Sequence, residues 1–347
     1  MPPVLTVYSP DHRLHHATAE LIDGRMVAPV DTPERAEQVL AAVTGAGLGP
    51  VVEPDADGAD VRAALGAVHD RAFLDFLATA YDEWLAAGHD GDALGLVWPA
   101  RTLAGAEPEA IDGRLGYWSF DAGTPITAGT WAAATASARV ALTGARRLLG
   151  GEPSVFALCR PPGHHAAAGQ FGGYCFLNNS AIAAQALRDG GVERVAVLDV
   201  DYHHGNGTQA VFWERPDVLT VSIHADPRQE YPYFTGHAAE TGGGAGEGAN
   251  RNLPLPWGTG WEPWSEALDA ALATVAAFAP DAVVVPLGVD TYRGDPISRF
   301  QLDTPDYLRA GAAIARLGVP TLVVLEGGYA VDAIGANVTN ALRGLVD

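Results

Sequence analysis

"RVAVLDV" (194–200) runs directly into "DYHHGNGTQ" (201–209). The first segment is nearly all apolar. It reads as a strand buried on both faces, and such strands belong to parallel sheets covered by helices. At its end Asp199, Asp201, His203 and His204 crowd together, and Asn206 follows two places later. In extended backbone alternate residues share a face. Asp199, Asp201 and His203 are therefore expected on one side, and Val200 and Tyr202 on the other. A carboxylate and an imidazole two residues apart can both reach one metal ion. Zinc accepts His nitrogen and Asp oxygen, and in catalytic sites it keeps an open position for water.

The pattern repeats on both sides. "SVFALC" (154–159), "DVLTVSIH" (217–224), "DAVVVPLGVD" (281–290) and "PTLVVLEGGY" (320–329) are further apolar strands. Helical segments are expected at 34–48, 60–86, 131–150, 179–191 (with an Asn cap and a glycine stop), 263–279 and 305–317. Strands alternating with helices predict one α/β domain over 1–347, with a central, mostly parallel sheet flanked by helices on both faces. Residues 88–130 break the rhythm. They are rich in Gly, Pro, Asp and Glu, with Trp98, Tyr117 and Trp118 interleaved. A loop of that length is functional or lies at an interface. The glycine run at 241–250 reads as a mobile surface loop.

Polar residues gather just past the strand ends, at 159–165, 199–206, 222–226, 288–290 and 326–329. Ligands of open α/β sheets bind there, so five loops should converge on one site. Asp290 in "LGVD" offers a third metal ligand beside Asp201 and His203. His164 and His165 in "CRPPGHH" are candidates for acid/base work, since their pKa lies near working pH. Tyr329 in "LEGGY" can donate to a developing oxyanion. Tyr174 and Phe176, with Tyr231, Tyr233 and Phe234, are either core or the walls of a narrow channel. His12, His15 and His16 sit in no strand-end context and read as surface or structural residues.

The 347 residues carry 42 acidic and 21 basic groups, a net charge of −21 that disfavours nucleic acid and suits a small cationic substrate. Every basic residue is arginine. The absence of lysine removes a Walker-type phosphate loop and lysine-dependent covalent chemistry. No G-x-S-x-G, H-E-x-x-H or C-x-x-C occurs. Two cysteines, no secretory signal and no membrane-length apolar run predict a cytoplasmic setting without membrane attachment.

"RPPGHHA" (160–166), "GYCFLNN" (173–179), "LDVDYHHGNGTQ" (198–209), "SIH" (222–224), "LGVD" (287–290) and "LEGGY" (325–329) occur in an order and spacing that resembles the histone deacetylase superfamily. The similarity is greatest to its bacterial acetylpolyamine amidohydrolase branch. It extends over essentially the whole chain, including "YSPDHRL" (8–14), "GTW" (129–131) and "DPIS" (295–298). The resemblance implies the arginase/deacetylase fold and zinc-dependent removal of acetyl groups from acetylpolyamines. It implies Asp201, His203 and Asp290 as zinc ligands, with Fe2+ as the alternative metal. By the same likeness His165 is general base and then acid, His164 its electrostatic neighbour, and Tyr329 the oxyanion donor.

A structural monovalent cation, K+ or Na+, is implied as well. Its ligands would be the backbone and side chain of Asp201, the backbones of Asp199, His203 and Ile223, and the Ser222 hydroxyl. Asp199 and Asn206 would stand behind the two histidines, and His204 would be structural. Tyr174 and Tyr231, with Gly173, match the channel that holds the acyl group's carrier. The 88–130 stretch would reach across a homodimer, with acidic residues such as Asp112 and Asp121 receiving the distal amine. Gly123 stands where similar proteins carry a glutamate, and Asn206 replaces an aspartate of many eukaryotic relatives. Alternative substrates are acetyl-lysine in proteins or an acylated metabolite. More remote readings are a di-manganese ureohydrolase, for which "DVDYHHGN" lacks the aspartates, and a non-catalytic acetyl binder.

Overall fold

The computed structural model describes residues 3–346 except 56 and 104. The strands are β1 (Leu5–Tyr8), β2 (Glu20–Ile22), β3 (Arg25–Val27), β4 (Val51–Val52), β5 (Ser154–Leu158), β6 (Val195–Asp199), β7 (Val218–Ala225), β8 (Asn250–Leu255), β9 (Ala282–Leu287) and β10 (Thr321–Leu325). The helices are α1 (Pro33–Gly45), α2 (Gly58–Val68), α3 (Arg71–Ala86), α4 (Ile111–Trp118), α5 (Thr130–Leu149), α6 (Asn179–Asp189), α7 (Asn206–Phe212), α8 (Trp261–Phe278), α9 (Thr304–Ala315) and α10 (Val331–Val346).

Eight strands form one sheet in the order β4-β1-β5-β10-β9-β6-β7-β8, and every pairing within it is parallel. The β2–β3 hairpin stands apart and is antiparallel. Parallel pairing exposes neither sheet face, and the period-2 alternation divides the strand residues between two cores. Val155, Ala157, Val195 and Val197 pack with residues of α2, α3, α5 and α6. Phe156, Leu158, Ala196 and Leu198 pack with residues of α1, α8, α9 and α10. Each of the valines, leucines and the phenylalanine among them contributes roughly 1.5–3 kcal/mol on burial, so together they hold the strand ends in register beneath the site.

Helix boundaries follow local chemistry. The Asn178 side chain accepts the Ala181 N–H to cap α6, and Gly190 ends it. Asp303 and Asp306 form a reciprocal capping box at α9. The segment expected as one helix at 60–86 breaks at His69–Asp70 into α2 and α3. His69 is held there between the Ala167 carbonyl and the Asn178 N–H, both at 2.9 Å.

The 88–130 stretch contains the eight-residue α4 and a bridge between Ala93 and Ile126; residue 104 lies outside the described residues. The glycine run at 241–250 packs against Trp213, with Gly243 donating to the Trp213 carbonyl at 2.9 Å, and leads into β8. The segment lies at the surface as expected, with Thr241, Gly244, Ala245, Glu247 and Gly248 exposed, while Gly242, Gly243 and Gly246 lie against Trp213. Among the described residues no helix is long and apolar enough to cross a membrane.

Candidate active site and metal centre

The four middle strands β5, β10, β9 and β6 point their C-terminal ends at the same place. Past β6 the regular ladder ends at Asp199, yet the alternation continues. Val200 and Tyr202 turn into the core beside Ala196 and Leu198. Asp201 and His203 turn the other way and meet Asp290 from the loop after β9. The donor atoms of these three buried residues lie within 4.8 Å of one another. His203 Nδ1 is 3.0 Å from Asp290 Oδ2 and 3.4 Å from Asp201 Oδ1.

Backbone amides fix both carboxylates: Tyr202 N–H donates to Asp290 at 3.0 Å, and Gly327 and His203 N–H donate to Asp201 at 2.8 and 2.9 Å. Gly327 is required by this closeness, since a Cβ there would lie 2.5 Å from Asp290 Oδ2 and 2.6 Å from Asp201 Oδ2.

The donor set fits a divalent cation. One imidazole nitrogen and two carboxylates suit zinc or ferrous iron. Among the described residues no arginine forms an ion pair with either carboxylate, so their charge is left to His203 and His164. Burial and the neighbouring charge of Asp201 push Asp290 up to about 7. Burial opposes charge on Asp201 too, but His164 and His203 outweigh it and hold that carboxyl well below its usual range. A second buried trio, His164, Cys175 and Glu326, also brings its donor atoms within 4.8 Å. There the Glu326 oxygens already accept the Gly163 and His164 N–H groups and the Ser180 hydroxyl.

The two histidine rings of the β5 loop lie with centroids 4.0 Å apart, tilted by 45°, and their pKa values move in opposite directions. His164 Nδ1 donates to Asp199 Oδ2 at 3.0 Å. Burial works against its charge, but Asp201 and Asp199 prevail and hold it protonated up to about 10. His165 goes the other way. Burial, and then the positive charge of His164 and His203, push it well below its ordinary value. Asn206 fixes the tautomer. Its amide NH2 donates to the His165 carbonyl at 3.3 Å, so its Oδ1, 2.7 Å from His165 Nδ1, must accept. Nε2 is then the unprotonated ring nitrogen of the neutral His165.

Tyr329 closes the β10 side. Burial raises its phenol well above the usual range even with the Arg35 guanidinium 4.4 Å over the ring, so the hydroxyl keeps its proton. Tyr174, with φ +64°, lies 5.5 Å from the Tyr329 ring. Gly173 has φ +57°, and a Cβ there would strike the His165 ring at 2.2 Å. Tyr231 stands edge-on to His165, 5.1 Å away. Asp121 ties this wall together, accepting the Tyr231 hydroxyl at 2.7 Å and the Gly173 N–H at 2.6 Å.

Asp112, in contrast, is exposed on α4 and paired with His89. Asp199, at the end of β6, is the register partner of Ser222 within the adjacent β7, and Ile223 follows in that buried strand. His204 is buried against His224 and bonded to Gln209 at 3.2 Å, away from the cluster.

Several contributors escaped the sequence reading. Phe120 stacks 6.0 Å from Tyr231 and forms part of the wall. Arg160, buried, ties Asp31 to the His12 and His15 carbonyls, so those two histidines are structural while His16 is exposed. Glu326 and Asp295 brace the backbone around His164 and Tyr329. A carboxylate directly before Gly-Gly at a buried strand end was the available signal for Glu326.

An all-parallel sheet in this strand order, with its polar cluster at the C-terminal edge, is the arginase/deacetylase fold. The crystal structure of acetylpolyamine aminohydrolase from Burkholderia pseudomallei superposes with a TM-score of 0.93 at 42% identity, over 98% of each chain. The profile of the histone deacetylase domain matches residues 29–345, and the chain belongs to that family. It is 57% identical over 341 residues to acetylpolyamine amidohydrolase 2 of Pseudomonas aeruginosa, spanning 98% of both chains. It is 49% identical over 339 residues to acetylpolyamine amidohydrolase of Mycoplana ramosa, again over 98% of both.

Proposed function

We propose that this protein is a metal-dependent amidohydrolase that removes acetyl groups from acetylpolyamines. One observation carries the chemistry: His165, its Nδ1 engaged by Asn206, stands beside a buried Asp201–His203–Asp290 cluster. The substrate class follows from near-full-length similarity to acetylpolyamine amidohydrolases. A net charge of −21 and Asp121 in the wall of the site also favour a cationic amine.

Asp201, His203 and Asp290 would hold zinc, with Fe2+ as the alternative occupant. A divalent ion there supplies Lewis acidity, acidifying water and polarising the acetamide carbonyl. His165 accepts the proton of the attacking water at Nε2 and returns it to the departing nitrogen as the C–N bond breaks. Acetate and the free amine leave. Tyr329 donates its hydroxyl proton in a hydrogen bond to the developing oxyanion. His164, held cationic by Asp201 and Asp199, adds positive charge beside the reacting group and keeps His165 neutral. Tyr174, Tyr231 and Gly173 line the approach.

A structural K+ or Na+ bound by Asp199, Asp201, His203, Ser222 and Ile223 would brace the same strand ends. The register pairing of Asp199 with Ser222 supports it. The 88–130 stretch would meet a second copy in a homodimer, where Asp112 could face a bound amine. Two buried, unpaired cysteines support a reducing, cytoplasmic setting. Side-by-side rates on acetylputrescine, acetylspermidine and an acetyl-lysine peptide test the substrate class. A kcat/KM highest on the acetyl-lysine peptide would transfer the activity to protein substrates.

A further inference from the structure

Tyr329 reaches the site through one peptide unit, and that unit is held at both ends. Its carbonyl, of Gly328, accepts Arg35 Nε at 2.5 Å. Its N–H, of Tyr329, donates to Asp295 Oδ2 at 2.7 Å. The same oxygen accepts the Ala330 N–H at 3.3 Å, and Asp295 Oδ1 accepts the Ile297 N–H at 3.1 Å. Asp295 is 7% exposed. It belongs to the loop after β9 that also carries Asp290, while Tyr329 belongs to the loop after β10. One buried carboxylate therefore joins the loop of a candidate metal ligand to the loop of the candidate oxyanion donor.

This tie has work to do. Gly328 has φ +126°, a region open to glycine and costly for other residues. Backbone rotation at a glycine is easy, and uncompensated rotation there would shift the Tyr329 backbone and carry its side chain away from the cleft. Oxyanion stabilisation depends on a donor already aimed at the place where charge develops, so sub-ångström drift weakens it. Nothing in the reaction proposed above calls on Asp295 for proton transfer, and both of its oxygens are engaged by backbone N–H groups.

The geometry points to Asp295 as a positioning residue that fixes the Gly328–Tyr329 peptide and so aims the Tyr329 hydroxyl. The inference rests on the proposed role of Tyr329. Asp295→Asn keeps the shape of the side chain but replaces one acceptor oxygen with a donor. It should lower kcat on acetylputrescine by at least about tenfold, leave KM within about threefold, and leave one metal bound per chain.

The deciding readout is a double-mutant cycle. In a Tyr329→Phe background there is no hydroxyl to aim, so Asp295→Asn should then cost less than about twofold. An equal loss in both backgrounds, or no loss in either, overturns the inference. Should Asp295→Asn melt below the assay temperature, Asp295→Glu, which retains the charge but displaces it, enters the same cycle with the same criterion. If Tyr329→Phe alone leaves turnover unchanged, the proposed role of Tyr329 fails first, and the two failures stay distinguishable.

Discussion

Asn206 and His165 grip each other twice. The imidazole Nδ1–H donates to the Asn206 carbonyl at 2.7 Å, and the Asn206 amide donates back to the His165 carbonyl at 3.3 Å. A neutral partner orients the ring without adding charge. Asn206→Asp would add a negative charge against the same nitrogen and raise the pKa of His165. Only the neutral ring can take a proton, so the acid limb of the kcat/KM profile should move to higher pH. A profile that stays in place would show that His165 does not set this limb.

Gly327 lies against both carboxylates of the candidate metal site, Asp201 and Asp290. Gly327→Ala puts a Cβ within 2.6 Å of each, and neither is a flexible chain end, because backbone amides hold both. The variant should fold yet bind zinc at least about tenfold more weakly, as expected when groups supporting a metal site are displaced. Competition with a chromogenic chelator measures this directly, and wild-type affinity would place the metal elsewhere.

Tyr231 holds Asp121 through its hydroxyl. Tyr231→Phe keeps the ring and releases the carboxylate. If the pair shapes the path of a cationic amine, KM for acetylputrescine should rise roughly threefold or more while kcat changes less than about twofold. A change confined to kcat would move Tyr231 from the channel to the chemistry.

Much of this was written in the sequence where side-chain period and backbone chemistry agree. The five strands with long apolar runs were legible, and so was the split between Asp201/His203 and Val200/Tyr202, although regular pairing ends at Asp199. β1 and β4 are too short, at four and two residues, to show a period. β8 follows a glycine run that conceals it. α4 was lost inside a stretch dominated by Gly, Pro and acids. Braces such as Asp295 and Arg160 act by meeting backbone groups far away in sequence, and no local pattern announces such partners.

His69 gives a pH test outside the active site. Its Nε2 accepts the Asn178 N–H while Nδ1 contacts the Ala167 carbonyl, so only the neutral ring satisfies both. Burial lowers its pKa to about 4. With the folded value below the unfolded one of about 6.5, its contribution is intact above pH 6.5 and is lost as pH falls through about 4. The full loss is roughly 3 kcal/mol. Urea midpoints measured from pH 7 to 4 should fall, and fall less steeply in His69→Gln. Identical slopes would show that His69 titrates alike in both states.

The central claim is that one metal, held by Asp201, His203 and Asp290, supports deacetylation of a small cationic amide. The most direct measurement is putrescine release from acetylputrescine by protein stripped of metal and then titrated with zinc. Activity should vanish on stripping and return in full at one equivalent per chain. Turnover that survives stripping, or that returns only at two equivalents of manganese, would contradict it.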